Sequence, residues 1–247
     1  MRFQDTLTLM WKDLRELPRI YGDSKAGVLG FLFPVFFLGI MLPLQMGEKW
    51  LEPGLNMFFA AWFSIIMVFT MVADSFAGER ERKTLEALLA TRLSDRAILA
   101  AKLLTAICFA LAFVLVLNVV GVLTLNVAHL GGGRFLFFPL KVLIILLILP
   151  PLAAFAASGI GVLVSLRAGT VRQAQQTLMM SGMLLFLVPS LAIPMLPKEM
   201  REAVFAFFTA GGVELLAAVV ALVLLAIGVV TVLIADKLFR RARLILD

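Results

Sequence analysis

The chain alternates between long stretches without charge and short stretches dense in it. Residues 27–47 carry no ionisable side chain, and at 1.5 Å per residue they reach roughly 30 Å, the thickness of a bilayer's hydrocarbon. Runs at 55–73, 103–128, 140–166, 177–196 and 213–235 repeat the pattern, with glycines at 131–133 breaking the chain between two of them. The pattern predicts an all-α membrane protein of six transmembrane helices.

Two polar stretches have a helical period of their own. In residues 1–26, Phe3, Leu7, Met10, Leu14 and Leu17 form an apolar stripe, which predicts an N-terminal amphipathic helix at the membrane interface. That region is too long and too mixed for the charged part of a secretory signal. Between the second and third spans, about residues 79–94, Leu85, Leu88, Leu89 and Leu93 fall on one face. Glu79 with Lys83, and Arg82 with Glu86, are spaced i, i+4 with opposite sign on the other. This predicts a short amphipathic helix, either lying on the headgroups or facing a partner. Ser94 then fits a helix cap, with Asp95 in the first turn of the next helix.

Composition agrees with a bilayer and charge orients the chain in it. Of 247 residues 62% are hydrophobic and 15% charged, and the mean hydropathy is +1.04. Of the 22 Lys and Arg, seventeen lie in the terminal segments and the second and fourth connections, leaving five for the other three. Positive residues favour the inside, so both termini and the 79–94 helix are expected in the cytoplasm. The same distribution assigns the basic excess to orientation, not to nucleic acid.

The ionisable residues near the spans, Asp74, His129, Lys141, Glu214 and Asp236, sit at their ends, where snorkelling is cheap. An ion-coupled carrier usually needs a charge within the bilayer, and the spans offer none. One cysteine, Cys108, and one histidine, His129, give neither an internal disulfide nor a metal-ligand or catalytic spacing. No catalytic, metal or cofactor residue is expected in this chain. Prolines 34, 43, 150, 151, 189 and 194 fall in the spans, where they kink a helix or are merely tolerated. Asn118 and Thr124, polar inside the third span, either line a substrate path or bond helix to helix.

The segment ADSFAGERERKTLEALLATRLSDRAILAAKLL resembles the coupling-helix region of permease subunits in type 2 ABC exporters, the ABC-2 type transporter family. The matching elements are Glu79 and Glu81, Thr84-Leu85-Glu86, Leu88-Leu89, Leu93 to Asp95, and Ala101-Lys102-Leu103. Residues 8–35 resemble the family's connecting helix and first span, and Arg167 to Gln176 its second cytoplasmic loop. The resemblance implies that Glu79, Glu81, Thr84, Leu85, Leu88 and Leu89 meet a separate nucleotide-binding subunit, which would bind ATP and Mg. The chain itself has no G-x-x-x-x-G-K-[ST] phosphate loop. The resemblance further implies a homodimer, or a heterodimer with a similar permease, moving an unidentified substrate outward across the cytoplasmic membrane. It also implies re-entrant helices in the stretch Pro197 to Gly212, where an ordinary interfacial helix is the alternative. The rival readings are an ion-coupled carrier or channel, and a membrane scaffold that transports nothing.

Overall fold

The computed structural model describes residues 6, 8–12, 15, 25–84, 94–129, 134–207 and 212–239, and among them every regular element is helical. Helix α1 (Lys25–Phe36) passes through a π-helical turn (Phe37–Met41) into α2 (Leu42–Met46) and a 3-10 turn (Gly47–Leu51). Then follow α3 (Leu55–Glu81), α4 (Asp95–Ala128), α5 (Leu140–Arg167), α6 (Val171–Met195), α7 (Lys198–Phe207) and α8 (Val213–Leu238).

Among the described residues, five segments are long and apolar enough to cross a membrane: Val28–Leu51, Leu55–Glu81, Asp95–Ala128, Leu140–Arg167 and Val213–Leu238. Helix α6, 25 residues long, occupies the place of the expected fifth span. The helices outrun the apolar runs that announce them. At 34 residues α4 is about 51 Å long, well beyond the hydrocarbon thickness, because capping and polar contacts extend it past the lipid. Ser94 does cap it, its Oγ accepting from Ala97 N at 3.2 Å, with Asp95 in the first turn.

The order of the bundle follows from where small residues let backbones approach. Helix α5 packs most extensively against α3 and α8. A Cβ on Gly159 would strike Thr231, and one on Gly228 would strike the Phe155 ring, so both glycines are sites of close approach. With the Lys141–Glu214 contact, these pairs keep a near-constant separation of about 73 positions along the chain, so α5 and α8 run parallel and in register. Two parallel neighbours require the intervening chain, α6 and α7, to return from one end of α5 to the other. At 1.5 Å per residue, α6 alone covers about 37 Å of that return.

One end of the bundle gathers the last turns of α3, α5 and α8 and the first turns of α4 and α6. Its apolar cluster includes Val72, Phe76, Ile98, Val162, Leu178 and Phe239. The N-terminal segment joins it: Thr6 and Leu9 are buried, Met10 is half-buried, and Trp11 is exposed with Arg15 stacked over its ring. Burial at positions 6, 9 and 10 is a helical face. Met10 of the expected stripe lies on it, Leu9 is an addition, and Phe3, Leu7, Leu14 and Leu17 lie outside the described residues. The opposite end is closed by a second cluster of Trp50, Leu51, Met57, Leu125, Phe138 and Val142.

Two expectations change. The amphipathic helix does not begin at 79, because α3 continues through Glu81 and turns at Arg82 and Lys83. Glu79 pairs not with Lys83 but with Lys102. The cause is the helix end itself: once α3 stops at Glu81, residues 79 and 83 no longer share a helical face.

Candidate functional site

Helix α3 ends in a Schellman motif. Thr84 N donates to Glu79 O at 2.8 Å and Lys83 N to Arg80 O at 3.0 Å, which places Lys83 in the left-handed region with φ of 57°. The side chains of the same turn reach into three neighbouring helices. Glu79 accepts from Lys102 Nζ of α4 at 3.3 Å, with side-chain exposures of 16% and 9%, and also from the Thr84 hydroxyl. Arg80 donates to Leu166 O at 3.0 Å and Ala168 O at 2.8 Å, two carbonyls at the end of α5. Glu81 Oε2 accepts from Val171 N at 3.1 Å, the first residue of α6.

The signs suit the positions. A helix leaves carbonyls unpaired at its C-terminus and N–H groups at its N-terminus, so a cation belongs at the first and an anion at the second. Arg80 and Glu81, adjacent in sequence, supply one of each to the junction between α5 and α6. The junction is also capped from within: Thr170 Oγ1 accepts from Gln173 N at 3.2 Å, and Gln173 Oε1 accepts from Gly169 N at 3.0 Å.

Deeper in, the buried Ser165 hydroxyl of α5 lies against the backbone of α3, accepting from Ala77 N at 3.1 Å and donating to Ala73 O at 3.2 Å. Arg82 turns back to Asp74 with two bonds of 3.1 Å, passing Gly78, where a Cβ would strike the Asp74 carboxylate. Arg96 of α4 bonds Asp236 of α8 at 3.1 and 3.2 Å. The chain leaving α3 at Thr84 is therefore tied at its root to α4, α5 and α6.

Of the residues expected to meet a partner, Glu79, Glu81 and Thr84 lie together here, whereas Leu85, Leu88 and Leu89 lie outside the described residues. Glu79 faces inward, and Glu81 and Thr84 are exposed. Sequence reasoning missed Arg80, Lys102 and Ser165 as parts of the site. Thr170 with Gln173 carried a readable capping signal, while the long-range partners of Arg80 and Lys102 carried none.

The two residues considered for a substrate path are far along α4 and in different surroundings. Thr124 Oγ1 shares its hydrogen between Gly39 O of the π-helical turn at 2.9 Å, a helix-to-helix contact, and Val120 O of its own helix at 2.8 Å. Asn118 Nδ2 donates to Val114 O in its own helix at 2.9 Å, while its Oδ1 is buried without a hydrogen-bond partner among the described residues. Asn118 lines an apolar groove of about 450 Å³ between α4 and α5, walled by Leu115, Phe137, Leu147 and Pro150 among others.

Bundled apolar helices of this length, knotted by ion pairs at one end, define a multi-pass helical membrane protein. The model of the ABC-2 type transporter family matches residues 5–220, and the chain belongs to that family. No curated protein and no solved structure matches it.

Proposed function

We propose that this chain is the membrane-spanning permease subunit of an ABC exporter, driven by a separate ATPase subunit that docks on the segment after Thr84. The observation that carries the reading is the last turn of α3, where Glu79, Arg80 and Glu81 grip α4, the end of α5 and the start of α6 respectively. A displacement applied to residues 85–93 would reach those three helices through charged contacts and not through flexible loop. Membership in the family supports the existence of an ATPase partner.

The topology in this proposal has six crossings. The parallel register of α5 and α8 supports it, since α6 must carry the chain back between them. An even number puts both termini on the side of the Glu79 cluster, which the positive-inside rule assigns to the cytoplasm. Helix α7 then lies on the outer side as a re-entrant or interfacial helix before the last span. Two copies would enclose a substrate path between them, and ATP and Mg would belong to the partner.

The test is co-expression with an ATPase whose reading frame, marked by a phosphate loop, is found next to that of this chain, then purification and assay in vesicles. ATP hydrolysis stimulated by assembly, and dependent on the 85–93 segment, supports the proposal. Solute movement driven by an ion gradient without any ATPase would establish the carrier reading in its place.

A further inference from the structure

At the end of the bundle away from the Glu79 cluster, α5 and α8 are joined by Lys141 and Glu214, whose Nζ and Oε1 lie 2.7 Å apart. Each is the second residue of its helix, so the pair sits at the edge of the apolar stretch, at headgroup depth. Below it a slot of about 280 Å³ runs between the two helices. One wall is Ile144, Ile145, Ile148 and Leu149, and the other is Ala217, Ala218 and Ala221. From Lys141 to Leu149 the slot descends about 12 Å into the hydrocarbon. The small alanines hold it open.

We infer that this slot is a binding site for a phospholipid whose headgroup joins a phosphate to a primary ammonium. The charges are complementary in kind and in place. Lys141 uses one of its three N–H donors on Glu214, and Glu214 Oε2 makes no bond to any described residue. Both are exposed, at 73% and 48% of the side chain, so each has room for a second partner. A phosphate on Lys141 and an ammonium on Glu214 complete a ring of alternating charges, and one acyl chain follows the slot. A quaternary ammonium has no N–H to give Glu214, and a glycerol headgroup brings no cation. The site therefore selects the primary amine.

The experiment is native mass spectrometry of the full-length protein, delipidated in detergent and titrated with phosphatidylethanolamine, phosphatidylcholine or phosphatidylglycerol of matched chains. The wild type is expected to hold the ethanolamine lipid about fivefold or more tightly than either of the others. Glu214→Gln, nearly isosteric, is expected to bring the ethanolamine and choline lipids within about twofold of each other. Lys141→Gln should weaken both alike, since both carry the phosphate. Ala218→Leu should fill the slot and weaken every lipid, whereas Ala226→Leu, on an exposed face of α8 outside the slot, should not. Equal retention of the ethanolamine and choline lipids by the wild type overturns the inference. So does an unchanged preference in Glu214→Gln, or binding that never saturates and ignores all four variants, which is annular lipid only.

Discussion

Glu79 and Lys102 face each other at 3.3 Å across the gap between α3 and α4, with both side chains largely withdrawn from solvent. A half-buried ion pair contributes little when intact, because desolvation offsets attraction, but it is costly to break from one side. Lys102→Met should therefore lower stability by about 2 kcal/mol or more, leaving the carboxylate with the Thr84 hydroxyl and the charge of Arg82. Glu79→Gln combined with Lys102→Met should recover a large part of that loss. Unfolding titrations with SDS measure both, and equal losses in the single and double variants would show that charge is not the issue.

Arg80 and Leu88 are expected to fail in different ways. Arg80→Ala removes two charge-assisted bonds from the end of α5, each worth about 1.5–3 kcal/mol, without altering any residue after Thr84. The ATPase should still co-purify, while transport per ATP hydrolysed falls about tenfold or more. Leu88→Asp puts a charge where an apolar contact is expected and should abolish co-purification outright. Identical behaviour of the two variants would remove the distinction between docking and transmission on which the proposed function depends.

How far the sequence discloses such a site depends on the range of the interaction. Apolar runs disclose the spans, and the Ser94 cap is legible because its partner, Ala97, is three residues away. Arg80 and its carbonyl acceptors are separated by 86 and 88 positions, and Arg96 and Asp236 by 140, so no local period betrays them. Asp74, Glu214 and Asp236 read from sequence as solvated helix ends, yet each has an ionic partner. The i, i+4 spacing of Glu79 and Lys83 misleads for another reason. It presupposes a helix through 83, and tertiary contacts of Glu79, Arg80 and Glu81 instead keep those residues with α3.

Lys83 holds a backbone conformation that suits glycine. Its φ of 57° is imposed by the two bonds of the Schellman motif, and for a residue with a Cβ that conformation costs about 1 kcal/mol. Lys83→Gly is expected to raise stability by up to about 0.5 kcal/mol, because the relief of native strain exceeds the added freedom of the unfolded chain. A shift of the SDS midpoint upward checks it. A loss of stability would mean that the ammonium makes a favourable interaction large enough to outweigh the strain.

Thr124 and Pro43 act on one carbonyl. Proline has no N–H to offer Gly39 O four residues before it, and the ladder slips here to π-helical spacing, Leu42 N bonding Phe37 O. Thr124 of the facing helix then offers Gly39 O its hydroxyl hydrogen, shared with Val120 O of its own helix. Hydrogen bonds between membrane helices average about 0.6 kcal/mol and reach about 1.7 where the alternative is an unpaired group in hydrocarbon. Thr124→Val, which preserves shape, should thus cost about 1 kcal/mol in the wild-type background. In Pro43→Ala the restored N–H can satisfy the carbonyl, and Thr124→Val should cost less than half as much. A double-mutant cycle over the four proteins gives the coupling directly. Additive losses would mean that Gly39 O depends on Thr124 whether or not residue 43 can donate, and that the proline is not why the threonine is needed.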